Sequence, residues 1–474
     1  MIQRRHFLKA SGLVGAGLII NPKLFAGAFD EFESKRPPLA KRHFTSSAVE
    51  ETIAAMKKRI SSKELAWLFE NCYPNTLDTT VYYSENNGRP DTYIITGDID
   101  AMWMRDSTAQ VWPYLSLVEK DEKLKKLIAG VINRQTHYIH HDPYANAFYK
   151  DDTHVSEWKD DLTQMKPGVH ERKWEIDSLC YPIRLAYHYW KKTGDTAPFD
   201  DKWKSAMALV LQTFKEQQRK EGKGPYSFQR NTPKATDTVP LQGFGYPVNP
   251  VGLICSIFRP SDDATLFSFL IPSNFFAVTS LKQAAEMISA IHKDTALAAQ
   301  CTQLANEVKA ALNKYATAVH PVHGKIYAFE TDGFGNHLFM DDANVPSLLS
   351  MPYLGSVPAS DPVYQNTRKF VWSSSNPFFF KGKAAEGIGG PHVALDMIWP
   401  LSIIMRGLTS NNDAEIKSCL QTLVKTHGGT GFMHEAFHKD DPANFSRSWF
   451  AWANTIFGEF VLAAYNKKPA LVQF

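Results

Sequence analysis

Three segments of the sequence concentrate side chains that could bind or cleave a hydroxyl-rich ligand. The first, residues 95–107 (ITGDIDAMWMRDS), holds three carboxylates, a guanidinium and an indole within nine residues. Arg105 beside Asp106 offers donors and acceptors that match vicinal hydroxyls, and Trp103 offers a flat face for a sugar ring. Asp106 could instead cap a helix, with Arg105 in an ion pair and Trp103 in the core. Composition alone leaves both interpretations open.

The second segment, residues 174–182 (WEIDSLCYP), contains two carboxylates. A helix is expected to begin here, because Pro182 is tolerated only in a first turn. Glu175 and Asp177 are two residues apart and would face away from each other on a helix, so at most one would point into a given site. A carboxylic acid beside Trp and Tyr could have the raised pKa that a general acid requires. Asp177 could also be only the N-cap.

The third segment, residues 428–438 (GGTGFMHEAFH), contains the motif H-E-x-x-H. On a helix, His434 and His438 would bind zinc with Glu435 as the base, and Glu459 could be a third ligand. The preceding glycines and the following Asp-Asp-Pro argue against a helix here. A zinc peptidase is therefore the weaker interpretation, and Glu435 is a candidate base under either one.

The N-terminus predicts an export signal. Residues 4–9 (RRHFLK) precede an apolar run over residues 10–20, and residues 26–28 (AGA) resemble a cleavage site. This pattern is typical of a twin-arginine signal peptide over residues 1–28, and it predicts a periplasmic protein. The run is shorter than the ~18 residues that span a bilayer, so we expect no stable membrane insertion after cleavage. Cleavage would leave 48 basic and 49 acidic residues and so change the net charge from +3 to −1. This charge balance gives no support for nucleic-acid binding.

The sequence of the rest of the chain predicts helices separated by long loops. Apolar periodicity predicts eleven helices, over residues 47–60, 63–71, 107–120, 122–141, 178–192, 198–220, 274–291, 294–316, 392–406, 412–427 and 446–466. Three short strands are predicted over residues 79–84, 92–95 and 325–329. The intervening segments are rich in Gly, Pro and aromatic residues, which is typical of ordered functional loops. We therefore expect an all-α fold, a single helical toroid over residues 29–474 with its long loops at one end.

The three segments together resemble glycoside hydrolase family 125, the exo-α-1,6-mannosidases. The resemblance rests on TGDIDAMWMRDS, WEIDSLCYP and GFMHEAF in that order, and it covers about residues 40–470. Met104 stands where Leu is expected. The resemblance implies an (α/α)6 barrel and inverting hydrolysis of a terminal α-1,6-linked mannose from a glycan. It also implies that the reaction uses no metal or other cofactor.

The resemblance also implies roles for individual residues. Asp177 is similar to the family's general acid and Glu435 to its general base. An inverting enzyme needs two such carboxyl groups roughly 6.5–9.5 Å apart. The preference for Asp177 over Glu175 rests on the motif alone. The residues implied to hold the terminal mannose are Asp100, Trp103, Arg105, Asp106 and His434. Besides the zinc peptidase, a glycan-binding protein of a sugar-uptake system without catalytic activity is the remaining alternative.

Overall fold

The computed structural model describes residues 32–474, so the predicted signal peptide lies outside the described part of the chain. Residues Ser34–Phe474 form one compact unit that consists mainly of helices. Among the described residues, no helix is both long enough and apolar enough to cross a bilayer.

The described residues contain thirteen α-helices. Their bounds are α1 Ser47–Arg59, α2 Lys63–Cys72, α3 Asn75–Thr79, α4 Met104–Val111, α5 Glu122–His141, α6 Ile176–Thr193, α7 Asp201–Gln217, α8 Ile271–Met287, α9 Thr295–Tyr315, α10 Pro362–Val371, α11 Pro400–Leu408, α12 Asp413–Lys425 and α13 Ala451–Lys467.

Short strands pair into small antiparallel sheets between the helices. Their bounds are β1 Val81–Asn86, β2 Arg89–Ile94, β3 Met102–Trp103, β4 Ala147–Phe148, β5 Val169–Glu171, β6 Phe269–Leu270, β7 Thr317–His320, β8 Gly324–Tyr327, β9 Glu330–Thr331, β10 His337–Leu338, β11 Phe379–Lys381, β12 Glu386–Ile388, β13 Met397–Ile398, β14 Ala436–His438 and β15 Asp441–Ser446. Asn87 and Gly88 join β1 to β2, and both have the positive φ that a two-residue type I′ hairpin turn requires.

The helices pack in two layers. Helix α4 contacts α6 and α13, α6 also contacts α8, and α13 also contacts α11. These five helices are buried on most sides; every residue of α4 is buried, for example. Helices α5, α9 and α12 instead bury one face against α6, α8 and α11 and expose the other. The core therefore lies between an inner and an outer set of helices.

Most predicted helices are confirmed, and α5 has the predicted bounds of residues 122–141. Two predicted starts are wrong by five residues or more, and the others lie within three residues of the prediction. The helix expected from residue 392 begins at Pro400, because residues 397–398 form strand β13. The helix expected from residue 446 begins at Ala451, because residues 441–446 pair with β14. Helices α3 and α10 were not predicted.

Pro182 does not mark a first turn, contrary to the sequence prediction. Helix α6 begins at Ile176, which places Pro182 inside the helix. The helix therefore lacks the hydrogen bond that the amide of residue 182 would donate to the carbonyl of Ser178. The second segment still begins a helix, as expected, but for a reason other than the proline.

Candidate active site

Two of the three segments meet through a small sheet. Strand β3 leads directly into α4, and β5 lies shortly before α6. Strand β4 lies between them, with Ala147 paired to Trp103 on one side and to Glu171 on the other. The first turns of the buried helices α4 and α6 are therefore held side by side. This places Arg105, the second residue of α4, against the carboxylates that begin α6.

Arg105 is the centre of a cluster of carboxyl groups. Its Nη1 lies 2.6 Å from Glu175 Oε2 and 3.2 Å from Asp177 Oδ2, while Nη2 lies 3.1 Å from Asp262 Oδ1. The Nε atom lies 3.4 Å from Asp106 Oδ2. One buried guanidinium thus contacts four carboxyl groups, and its charge cannot balance four ionised neighbours.

Glu175 and Asp177 do not face away from each other, contrary to the sequence prediction. Glu175 is the N-cap of α6 with an extended backbone (φ −131°, ψ 129°), whereas Asp177 is already within the helix. The opposed directions expected of residues two apart apply only when both are helical. Both side chains therefore reach Arg105.

The cluster holds proton-binding groups near neutral pH. Burial raises the pKa of Glu175 well above its usual range, and it raises the pKa values of Asp177 and Asp106 to about 6, although Arg105 opposes each shift. Asp262 is different: against the effect of burial, Arg105 and Lys173 lower its pKa. A hydrogen bond between the two carboxyl groups raises the pKa of Glu175 and lowers that of Asp262, so the proton of this pair lies on Glu175.

Asp262 is the member of this cluster that the sequence analysis missed. The side chains of Glu175 and Asp177 are 0% exposed, whereas that of Asp262 is 20% exposed. Asn146 Nδ2 donates to Asp262 Oδ1 at 3.2 Å, and Lys173 Nζ donates to its backbone carbonyl at 2.8 Å. Asp262 also has a φ of +65°, an unfavourable conformation for a residue other than glycine. The signal in the sequence was a pair of adjacent carboxylates in a long loop without periodicity.

Glu435 lies in a separate ion-paired setting. Its Oε2 accepts a hydrogen bond of 2.9 Å from Ser446 Oγ, and its Oε1 lies 3.6 Å from Arg447 Nη1. Arg447 in turn donates to Asp98 through Nε at 2.8 Å, which joins the third segment to the first. Burial opposes the charge of Arg447, but Glu435 and Asp98 outweigh burial and raise its pKa. The charges of Asp262 and Arg447, one from each setting, both act on the Asp106 carboxyl group.

His434, the predicted sugar ligand of the third segment, is held by contacts within the protein. It is 1% exposed and stacks on Phe445 at 3.6 Å between ring centroids. Its Nε2 pairs with Thr430 Oγ1 at 3.0 Å and its Nδ1 with the Arg447 carbonyl at 3.1 Å. Both ring nitrogens are engaged, and burial lowers the pKa of the ring. His434 therefore supports the loop that carries Glu435.

The other predicted sugar ligands fall in two places. Trp103 is nearly buried, and its ring lies edge to face with that of His170, with 5.1 Å between the ring centroids. The indole N–H of Trp103 has no hydrogen-bond partner among the described residues. Asp100 is exposed, and its backbone carbonyl accepts a hydrogen bond of 3.3 Å from Tyr93 Oη. Burial raises the pKa values of Tyr82 and Tyr93, and the charge of Asp100 adds to both shifts. The structure does not bring Asp100 to Arg105.

The zinc alternative has no geometric support. His438 belongs to strand β14, so the two histidines of H-E-x-x-H do not share a helix face. Glu459 lies inside α13, where it accepts hydrogen bonds from Trp112 at 3.1 Å and Tyr353 at 2.9 Å. Within residues 32–474, no three His, Cys, Asp or Glu side chains are grouped as metal ligands.

Comparisons with known proteins identify the family. A family model described as metal-independent alpha-mannosidase, glycoside hydrolase family 125, matches residues 62–462. The chain belongs to glycoside hydrolase family 125. This family 125 protein is 43% identical over 458 residues to the meiotically up-regulated gene 157 protein of Schizosaccharomyces pombe, covering 93% of this chain and 90% of that protein.

Solved structures agree with this family 125 assignment. A Streptococcus pneumoniae protein, described among metal-independent alpha mannosidases and as a non-productive complex with alpha-1,6-mannobiose, matches with a TM-score of 0.86 at 42% identity. That match covers 90% of this chain and 99% of the other. A bacterial glucoamylase complexed with acarbose matches at a TM-score of 0.54 and 13% identity, over 88% of this chain and 58% of the other, which shows similarity of fold only.

Proposed function

We propose that this family 125 protein is an exo-acting α-1,6-mannosidase that inverts the anomeric centre. The single observation that carries the proposal is the division of the site's carboxyl groups into two settings. One setting, around Arg105, includes buried acids with raised pKa values. The other holds Glu435 against Arg447 and Ser446. An inverting glycosidase needs a protonated carboxyl group and a separate carboxylate of this kind.

In the proposed reaction, Glu435 is the general base. Its carboxylate accepts a proton from a water molecule as that water attacks the anomeric carbon on the face opposite the leaving group. The hydroxyl of Ser446 and the guanidinium of Arg447 hold the carboxylate in place. At the same time, an acid of the Arg105 cluster gives its proton to the glycosidic oxygen. The bond between this oxygen and the anomeric carbon breaks, and β-mannose is released.

The identity of that acid is a choice between two residues. The family resemblance assigns Asp177, whose raised pKa suits the role. A proton donor must also reach the glycosidic oxygen within hydrogen-bond distance, and Asp177 is fully buried. Asp262 is partly exposed and accepts a hydrogen bond from the protonated carboxyl group of Glu175. We therefore propose that Asp262 contacts the substrate and acts as a relay: Glu175 passes its proton to Asp262 as Asp262 protonates the glycosidic oxygen, and Asp177 holds Arg105 behind them.

The terminal mannose would lie between these two settings. Asp106 is within electrostatic range of both, and the free indole N–H of Trp103 can donate to a sugar hydroxyl. Arg105 is engaged by carboxyl groups, so it positions them rather than gripping the sugar. The alpha-1,6-mannobiose bound in the Streptococcus pneumoniae protein supports an α-1,6-linked mannoside as the substrate.

The helical layers support an (α/α)6 barrel as the fold that carries this site, in agreement with the family. We also propose that the chain is exported through its twin-arginine signal and acts on glycans in the periplasm, without stable insertion into the membrane.

The function is tested with purified protein and α-1,6-mannobiose, with the α-1,2- and α-1,3-linked isomers as controls. We expect release of mannose from the α-1,6 isomer at least tenfold faster than from the others. Binding of the disaccharide without hydrolysis over long incubation would instead favour the glycan-binding alternative. Equal rates on all three isomers would contradict the linkage assignment.

A further inference from the structure

A buried arginine without a counter-ion lies outside the proposed active site. Arg219 follows the last turn of α7 and is 8% exposed. Its Nη1 donates to the Phe244 carbonyl at 2.9 Å. Its Nε and its Nη2 are buried and have no hydrogen-bond partner among the described residues, and no carboxylate within residues 32–474 forms an ion pair with it. A buried charge left in this state is costly unless a ligand pairs with it.

Arg219 lies between two adjoining cavities. One, of about 700 Å³, is lined on one side by Phe244, Tyr246 and Pro247, and the other has a volume of about 590 Å³. Both cavities are also lined by Arg219 and Lys223. The volume of either is in the range of small-molecule sites. The cavities therefore combine a buried cation with aromatic and proline side chains.

The cavity of about 590 Å³ is lined by four cations (Lys215, Arg219, Lys220 and Lys223) and three carboxylates (Glu216, Glu221 and Glu307). The cavity of about 700 Å³ is lined by Arg219, Lys220 and Lys223 and by no carboxylate, so positive charge is in excess in both. Lys220 is paired with Glu307 at 2.5 Å and so contributes little. Lys223 is exposed and lies over the ring of Phe244, with its Nζ 4.8 Å from the ring centroid. Arg219 and Lys223 therefore remain to attract an anion, and an arginine fork suits a carboxylate or a phosphate. The aromatic rings beside them suit the apolar face of a sugar.

The cavities lie at the same end of the helices as the acid cluster. Helix α7 ends at Gln217, whose carbonyl accepts a hydrogen bond of 2.9 Å from the amide of Cys255. The carbonyl of Cys255 in turn accepts a bond of 2.7 Å from the indole of Trp174. Trp174 directly precedes Glu175 of the acid cluster. The segment around Cys255 thus links the end of α7 to the residue that precedes the acid cluster.

We propose that these cavities bind the anionic substituent of a saccharide, either a phosphate ester or a uronate carboxylate. Oxyanions of either kind would accept hydrogen bonds from the Nε and Nη2 atoms of Arg219, with Lys223 as a second cation. That the ligand is a saccharide rests on the proposed function. That the cavities bind an anion does not. A glycan held here by its charged group would keep a neutral mannose branch close to the catalytic end.

The test is calorimetric titration of the full chain with three probes: mannose 6-phosphate, glucuronate and, as the uncharged reference, mannose. We expect at least one charged probe to bind more tightly than mannose, and Arg219→Gln to weaken that binding about tenfold or more. Binding of the phosphate ester alone would identify phosphate as the ligand group, and binding of glucuronate alone would identify a carboxylate. If neither charged probe binds more tightly than mannose, the proposal is wrong.

Variants separate this site from the catalytic one. Lys223→Gln, a change of an exposed side chain, should weaken binding of the charged probe several-fold even if Arg219→Gln fails to fold. Lys425→Gln, an exposed lysine at the end of α12, should leave binding unchanged. Both Lys223→Gln and Arg219→Gln should hydrolyse α-1,6-mannobiose at the rate of the parent. Undiminished binding of the charged probe in Lys223→Gln and in Arg219→Gln would overturn the proposal, whatever the result of the hydrolysis assay.

Discussion

Arg105 is the residue on which the proposed acid chemistry depends. It draws four carboxyl groups together, and burial raises the pKa values of three of them, Asp106, Glu175 and Asp177. The sequence motif included three of the four, since Asp106, Glu175 and Asp177 all lie in the segments that attracted attention first. It could not show that Asp262 completes the cluster, because the contact joins residues 157 positions apart.

The choice between Asp262 and Asp177 as the acid leads to a prediction on leaving groups. Asp262→Asn should reduce hydrolysis of α-1,6-mannobiose by about 10²–10⁴-fold, the usual contribution of a general acid. It should reduce hydrolysis of 2,4-dinitrophenyl α-mannoside far less, because that leaving group departs without protonation. The measurement is kcat on both substrates. If Asp177→Asn shows this pattern and Asp262→Asn does not, the acid is Asp177, as the family resemblance first implied.

Glu435 gives a second prediction at the same scale. Glu435→Gln retains the hydrogen bond with Ser446 but cannot accept a proton from water. We expect kcat on α-1,6-mannobiose to fall by about 10²–10⁴-fold with little change in melting temperature. Glu119→Gln, which changes an exposed glutamate, is the control and should retain full activity. Loss of less than threefold in Glu435→Gln would exclude the residue as the base.

At the scale of elements, a close approach between two loops positions Glu435. Gly97 has a φ of +131°, and a Cβ atom there would overlap the Trp449 carbonyl oxygen. The amide of Asp98 donates to that same carbonyl at 3.2 Å, next to the ion pair of Asp98 with Arg447. The glycine is needed because only a residue without a side chain allows the two backbones to meet.

Gly97→Ala should therefore reduce both stability and activity. We expect a loss of about 1–3 kcal/mol in the free energy of unfolding, and a fall in kcat because Arg447 moves relative to Glu435. Gly88→Ala is a matched control, since Gly88 also has a positive φ but has open space around it. Urea denaturation and kcat on α-1,6-mannobiose measure the two effects. Equal effects of both substitutions would show that the contact with Trp449 is unimportant.

The helices were predictable and the loops were not, for a physical reason. Helix α5 has a strong apolar stripe and an Asp121 N-cap, so local sequence determines its ends. Strands β13, β14 and β15 have only two to six residues, too few to show a clear periodicity, and β13 forms by pairing with β14, which is distant in the sequence. For the same reason, the two helices that follow these strands were predicted to begin too early.

The same distinction between local and tertiary features decided which residue roles could be predicted from the sequence. Glu435 and the carboxylates of α6 could be selected by residue type and neighbours. His434 could not be assigned from its type, because its position against Phe445 and Thr430 is a tertiary feature. Asp262 was missed because its loop has no pattern that distinguishes it from the long loops elsewhere.

For the whole molecule, buried carboxyl groups predict a dependence of stability on pH. Burial raises the pKa of Glu459 to about 7, although Arg184, Tyr353 and Trp112 oppose the shift. A carboxyl group in the unfolded chain has a pKa of about 4.3. The stability that this group contributes is therefore fully present below about pH 4.3 and is lost as the pH rises towards 7, by up to about 1.4 kcal/mol per pH unit.

We expect Glu459→Gln to remove part of this dependence. Relative to the parent, the variant should gain stability as the pH rises from 5 to 7, because the amide does not lose a proton. Urea denaturation at pH 5, 6 and 7 measures the free energies of unfolding of both proteins. The free energy of unfolding of Glu119→Gln should change with pH as that of the parent does. The same pH dependence in Glu459→Gln as in the parent would show that Glu459 does not titrate in this range.

The central claim is that the two carboxyl settings act together in an inverting hydrolysis of α-1,6-linked mannose. Proton NMR of α-1,6-mannobiose during the first minutes of hydrolysis tests it most directly, because the anomeric signals show which anomer of mannose is formed before mutarotation. We predict that β-mannose forms first and that the α anomer follows at the rate of mutarotation. Initial formation of α-mannose would contradict the account.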